Sequence, residues 1–199
     1  MKNYFYFLLP FLALGLSFAS AGCQRAPMMA SKSNYHTQSV DQLTHFRVNG
    51  KFGYQQGDSG GQATFVWQQN GNDFTLKLYN PFGGEEAYLA YKGGTYELNM
   101  PKKSVERTDN IEPLFRQELG WSAPIAELSY WIRGIPLPNT PKRVSMTPEG
   151  ARVLKQSNWT ITYLRMTEKN NLLLPESILL ERGNLPEGSV RLKMIIHWN

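Results

Sequence analysis

The feature that most restricts this chain's fold is a two-residue alternation of apolar and polar side chains, which returns in segment after segment. It is clearest near the end. There Val190, Leu192, Met194, Ile196 and Trp198 share one face, and Arg191, Lys193 and His197 lie on the other. A strand points successive side chains to opposite sides, so period two marks a sheet with one face against a core and one in solvent. The same period runs through His45 to Tyr54, where Phe46, Val48, Phe52 and Tyr54 alternate with Arg47, Asn49 and Lys51. Ala63, Phe65 and Trp67 then oppose Thr64 and Val66, and Phe74, Leu76 and Leu78 oppose Thr75 and Lys77. Further strands are predicted over 86–91 and 95–100, with Lys92-Gly93-Gly94 as the turn between them. Trp159, Ile161 and Tyr163 predict another, and Ile178 and Leu180 follow Pro175 in one more.

The middle of the chain changes period. Asp109 is placed to cap a helix, with Glu112 in the reciprocal capping-box position. Ile111, Leu114, Phe115 and Leu119 form an apolar stripe, and Gly120 is a natural stop. A second helix is predicted from Ser122 or Pro124, carrying Ile125, Leu128, Trp131 and Ile132, and ending at Gly134-Ile135-Pro136. Two short helices with apolar faces must cover something, and the sheet is the surface on offer. The fold class expected is mainly β, one curved antiparallel sheet with a helical insert across its open side.

The N-terminus carries a different message. A short positive start at Lys2, an apolar run from Tyr4 to Phe18 and the small residues Ala19-Ser20-Ala21-Gly22 have the form of a secretory signal peptide over 1–22. Cys23 follows at once and is the only cysteine, so it cannot staple the fold through an internal disulfide. Either Cys23 becomes the first mature residue and carries lipid, or cleavage after Ala21 leaves Gly22-Cys23 as a free thiol. Residues 23–40 are polar, Pro-containing and aperiodic, which suits a lipidated N-terminus and flexible tether. The folded domain is expected over 41–199. Gln24 after the cysteine points to the outer membrane under the sorting rule for bacterial lipoproteins. No later apolar segment has the length of a membrane-spanning helix.

The formal net charge of +5 is spread along the chain rather than gathered in a stripe. It suits an anionic membrane surface or an acidic partner better than nucleic acid. Signatures of catalysis fail in turn. His36, His45 and His197 stand apart, without ligands at metal-binding spacing. There is no nucleophile elbow and no phosphate-cradling loop. Glu85-Glu86 is a carboxylate pair of the kind usually found solvated on a loop. No catalytic residue, metal or cofactor is expected.

Between two predicted strands stands Asn80-Pro81-Phe82-Gly83-Gly84. Asn, Pro and paired Gly are turn formers, so Phe82 either projects from a loop tip or folds back onto the core. At this point the sequence resembles the LolB family of outer-membrane lipoprotein receptors. The resemblance runs from about Phe46 to Trp198. It is carried by Phe65-Val66-Trp67-Gln68-Gln69, Asn80-Pro81-Phe82-Gly83, Trp131-Ile132-Arg133-Gly134-Ile135-Pro136 and Gln156 with Trp159 and Tyr163. Leu174-Pro175, and Leu192-Lys193-Met194 leading to Trp198, complete it.

The resemblance implies an unclosed antiparallel β-barrel with a helical lid over a hydrophobic cavity. Candidate cavity walls, chosen by alternation and helical stripe, are Phe65, Trp67, Leu76, Trp131, Ile161, Leu180 and Met194. It further implies that Pro81, Phe82 and Gly83 form a membrane-insertion loop, with Phe82 where the family more often has Leu. The partners implied are a LolA-like periplasmic carrier, the acyl chains of cargo lipoproteins and the outer membrane, with the receptor acting as a monomer. Two other readings stay open, a lipocalin-like binder of free lipids or small hydrophobes and an envelope hydrolase.

Overall fold

The computed structural model describes residues 40–183 and 188–199. The signal segment, Cys23 and the tether as far as residue 39 lie outside the described residues. Val40, placed by sequence at the end of the tether, is instead buried against Ile135 and Leu174.

The strands are β1 (His45–Gln56), β2 (Ser59–Asn70), β3 (Asp73–Tyr79), β4 (Glu85–Lys92), β5 (Thr95–Asn99) and β6 (Glu106–Thr108). The helices α1 (Ile111–Leu119) and α2 (Ile125–Trp131) follow. The chain then returns through β7 (Lys142–Met146), β8 (Arg152–Gln156), β9 (Trp159–Lys169), β10 (Leu172–Arg182) and β11 (Val190–Trp198). All eleven form one antiparallel sheet in the order β6-β5-β4-β3-β2-β1-β11-β10-β9-β8-β7. Two meanders therefore run outward from a central seam between β1 and β11, where Val48 pairs with Trp198 and Gln56 with Val190. β6 and β7 are the two free edges, and the helices connect them, so the barrel is unclosed and its helical insert passes from one edge to the other.

Register is set locally by the hairpins. Gly93-Gly94, Ser157-Asn158 and Asn170-Asn171 are two-residue connections in which both residues have positive φ. That is the turn whose twist matches paired strands, and Gly and Asn tolerate it best. With register fixed, alternation delivers one apolar face. Val48, Phe65, Trp67, Leu76, Leu89, Leu98, Ile161, Leu180 and Ile196 are all buried and belong to a single core.

The helices differ from expectation at their starts. Asn110, not Asp109, precedes α1, in extended conformation and without a side-chain cap bond. Thr108 Oγ1 accepts from the Asn110 N–H instead, and Glu112 reaches out to Arg182 at 3.0 Å rather than back to the helix start. Gly120, with φ 78°, ends α1 as the sequence predicts. The short strands β6, β7 and β8 were not legible by period. β7 is exposed along its whole length and has no buried face to impose alternation.

One buried amide fastens the lid. Gln156 Oε1 accepts from Trp131 Nε1 (3.2 Å) and the Leu137 N–H (2.8 Å), while its Nε2 donates to Leu137 O and Thr140 O. Gln156→Leu would leave several of these groups unpaired in the interior. A loss of about 2 kcal/mol is expected in urea unfolding, against near-wild-type stability for exposed substitutions in β7.

Candidate functional site

Two features stand out on this scaffold, an apolar interior under the helices and an aromatic residue held in solvent. The interior lies between the concave sheet face and α1–α2. Its walls include Phe52, Phe65, Trp67, Leu76, Met194 and Trp121, and they leave an apolar void of about 20 Å³. That is about the room of one water molecule, so the lid is closed in this structure. Of the seven residues expected to line a cavity, Phe65, Trp67, Leu76 and Met194 face the void. Trp131, Ile161 and Leu180 are fully buried in the same core but do not border it. They belong with the β8–β10 half, where Trp131 packs near Trp159 at 6.5 Å and the Arg182 guanidinium lies over the Trp159 ring.

The sequence reading missed one residue of this wall. Trp121 sits in the linker between the helices and packs on Tyr54 (4.6 Å, stacked), Phe52 (5.3 Å) and Phe115 (5.0 Å, edge-on). Gln56 Oε1 accepts from the Ser122 N–H at 2.9 Å and holds that linker to the end of β1. Phe52, Leu78 and Trp121 also line an open cleft of about 500 Å³, which shares these residues with the void. Glu85, Glu86 and Glu118 stand on the cleft. Glu118 is bridged by Lys103, whose hydrogen bond holds its carboxyl below the ordinary range. Tyr163, deep in the β9 wall, has its hydroxyl pushed up by burial. Among the described residues no cluster of His, Cys, Asp and Glu could hold a metal ion.

The loop from Asn80 to Gly84 is built around the Asn80 side chain. Asn80 Oδ1 accepts from the Phe82 and Gly84 N–H groups, each at 3.0 Å. The Gly83 N–H donates to Asn80 O, and the Asn80 N–H to Gly84 O, both at 2.9 Å. Gly83 takes φ 85°, a conformation that favours glycine. A Cβ at Gly84 would come within 2.9 Å of Asn80 Nδ2, so glycine is the natural fit there too. Pro81 and Phe82 are thus carried on a closed hydrogen-bonded turn, and Phe82 is 98% exposed. Leaving this ring in water forgoes roughly 1.5–3 kcal/mol of burial. The alternative of Phe82 folding back onto the core is excluded.

The sequence pattern of the family described as "Outer membrane lipoprotein LolB" matches residues 44–198, nearly the whole described body. The chain belongs to the LolB family. An "Outer-membrane lipoprotein LolB" of Ectopseudomonas mendocina is 30% identical over 87% of this chain and 88% of its own. Another LolB, of Cellvibrio japonicus, is 29% identical over 90% of this chain and 93% of its own. Among solved structures, a LolA superfamily protein of Nitrosomonas europaea is similar at a TM-score of 0.49, with 12% identity over 80% of this chain and 90% of that one.

Several LolB-like motifs explain themselves in the structure. In Trp131-Ile132-Arg133-Gly134, Arg133 is buried, donates to Ser129 O and Leu43 O, and so ties α2 to the start of the domain. Gly134, at φ 81°, turns the chain where a Cβ would meet Pro175 at 3.2 Å. Trp198 closes the other end by donating from Nε1 to Pro175 O at 2.8 Å.

Proposed function

We propose that this LolB-family protein accepts lipoproteins from a LolA-like periplasmic carrier and inserts them into the outer membrane. The observation that carries the reading is Phe82, presented at 98% exposure by a turn with no slack. A rigid, solvent-held aromatic needs an apolar destination, and a bilayer surface supplies one. Pro81 and Gly83 serve that presentation. Cys23, acylated on sulfur and amino group, anchors the chain so that delivery happens beside the membrane.

The cargo is held by its acyl chains. Each buried methylene is worth about 0.8 kcal/mol, so one long chain resists entering water by on the order of 10 kcal/mol. Release and recapture through water would be too slow, and direct passage from cavity to cavity avoids it. A void of about 20 Å³ cannot take such a chain, so loading requires the helices to lift and Trp121 to leave its place. Phe65, Trp67, Leu76 and Met194 then face the ligand first, with Trp131, Ile161 and Leu180 behind them. The protein works as a monomer, and it breaks no bond and uses no cofactor.

Transfer of a labelled lipoprotein from its carrier to the purified protein, and then to liposomes, tests this reading. Uptake of free fatty acid without any exchange from the carrier would replace it with a lipocalin-like binder. Mass spectrometry of the mature N-terminus checks the anchor. The expected mass is that of acylated Cys23, and a chain starting at Gly22 with a free thiol would refute it.

A further inference from the structure

A groove of about 550 Å³ runs along the convex face of the sheet, on the side of the strands turned away from the core. Its walls include Lys51, Gln62, Lys193 and Ile195, with Gly53 among its lining residues, and Pro81 of the Phe82 loop stands on its border. The register explains the grouping. Gly53 pairs with Lys193 and Lys51 with Ile195, so the two ammonium groups flank one position on adjacent strands. Gly53 lacks a side chain there without steric need, because an added Cβ would meet only Gly61 O, at 3.8 Å. The missing side chain leaves room between the lysines.

These cations are also unneutralised. Lys77 and Arg191 hold Glu85 (3.9 Å) and Glu181 (3.4 Å). Lys51 and Lys193 have no such carboxylate among the described residues. A positive groove with a bare floor, bordered by the proline that precedes a projecting aromatic, is complementary to an anion held at the surface of an apolar phase.

We propose that this groove binds the phosphodiester headgroup of an anionic phospholipid while Phe82 enters the acyl layer beside it. The inference rests on the membrane role of Phe82 and adds to it a second contact. One residue fixes a depth, whereas two separated contacts fix an orientation, with this end of β1, β2 and β11 lowered onto the leaflet. An anionic lipid such as phosphatidylglycerol fits better than phosphatidylcholine, whose own ammonium competes for the phosphate.

An environment-sensitive dye on Phe82→Cys, in the full anchored chain, reads the docked fraction, with mass spectrometry showing that residue 82 alone is labelled. In phosphatidylcholine vesicles containing phosphatidylglycerol, the dye should report burial, and less so in phosphatidylcholine alone. The ratio of docked to free loop should fall about five-fold for Lys51→Ala or Lys193→Ala and about 25-fold for both. Gly53→Leu, which fills the groove without touching either charge, should lower it with no change in thermal unfolding. Equal docking in both vesicle types with all variants unaffected would overturn the groove and leave the Phe82 role standing. A dye that never enters any bilayer would remove that role itself, and the groove with it. Loss of docking on adding inorganic phosphate, with no dependence on lipid type, would show a free-anion site and overturn the headgroup assignment.

Discussion

Phe82→Glu is expected to take lipoprotein from the carrier at a normal rate and to fail at passing it to liposomes. The two steps use different parts of the molecule. On the proposed reading, capture depends on the apolar interior, whose walls do not include Phe82. Delivery, on the same reading, depends on a side chain that stands almost wholly in water until it meets lipid. Replacing an aromatic by a carboxylate at the lipid interface changes the transfer energy by about 3 kcal/mol, roughly a hundred-fold in delivery. Phe82→Leu should deliver well, since burial matters there and aromaticity does not. Thermal unfolding should be unchanged in both, because Phe82 supports nothing and Asn80 holds the turn. Normal delivery by the Glu variant would remove the insertion role. A large loss of stability would place Phe82 in the core after all.

The largest effect on folding is expected from one added methyl group. Gly50 lies in β1 opposite Ile196, and a Cβ there would sit 1.9 Å from Ile195 O and 2.9 Å from Phe65 Cε1. The first clash is with backbone and cannot be relieved by a rotamer change, so β11 must move away from β1. Gly50→Ala should cost more than about 3 kcal/mol, or some 10 °C in Tm. Gly53→Ala, three residues along the same strand and on its outward face, should cost little and serves as the control. Equal stability of the two variants would mean that the seam is looser than its geometry indicates.

The strand faces were legible because burial on one side imposes period two, and β3 and β11 follow it along their length, as does β2 from Ala63 onward. The loop was legible as a turn, yet Asn80-Pro81-Phe82-Gly83-Gly84 alone could not say whether Phe82 points outward. The answer lies in Asn80 Oδ1 accepting two backbone N–H groups, a contact that composition does not encode. Trp121 was not legible at all. It stands outside both helices, follows a stop signal and belongs to no periodic pattern, although it packs on Phe52, Tyr54 and Phe115. β7 escaped for the opposite reason, since an edge strand without a buried face has no pattern to show. Trp131, Ile161 and Leu180 were rightly placed inward, but alternation gives the face of a strand and not its distance from a void.

The central seam has a consequence for the order in which the molecule forms. Every other strand pairing in the sheet joins neighbours in sequence, so each meander can assemble from short hairpins. Joining β1 to β11 is different, because Val48 must find Trp198 across almost the whole domain. That closure is slow and entropically expensive, and nothing local assists it. Until it happens the two half-sheets present apolar faces with no common core. A protein of this kind is thus vulnerable for a time before assembly, exposing broad apolar surfaces that its helices do not yet cover. Early encounter with lipid would compete directly with its own assembly.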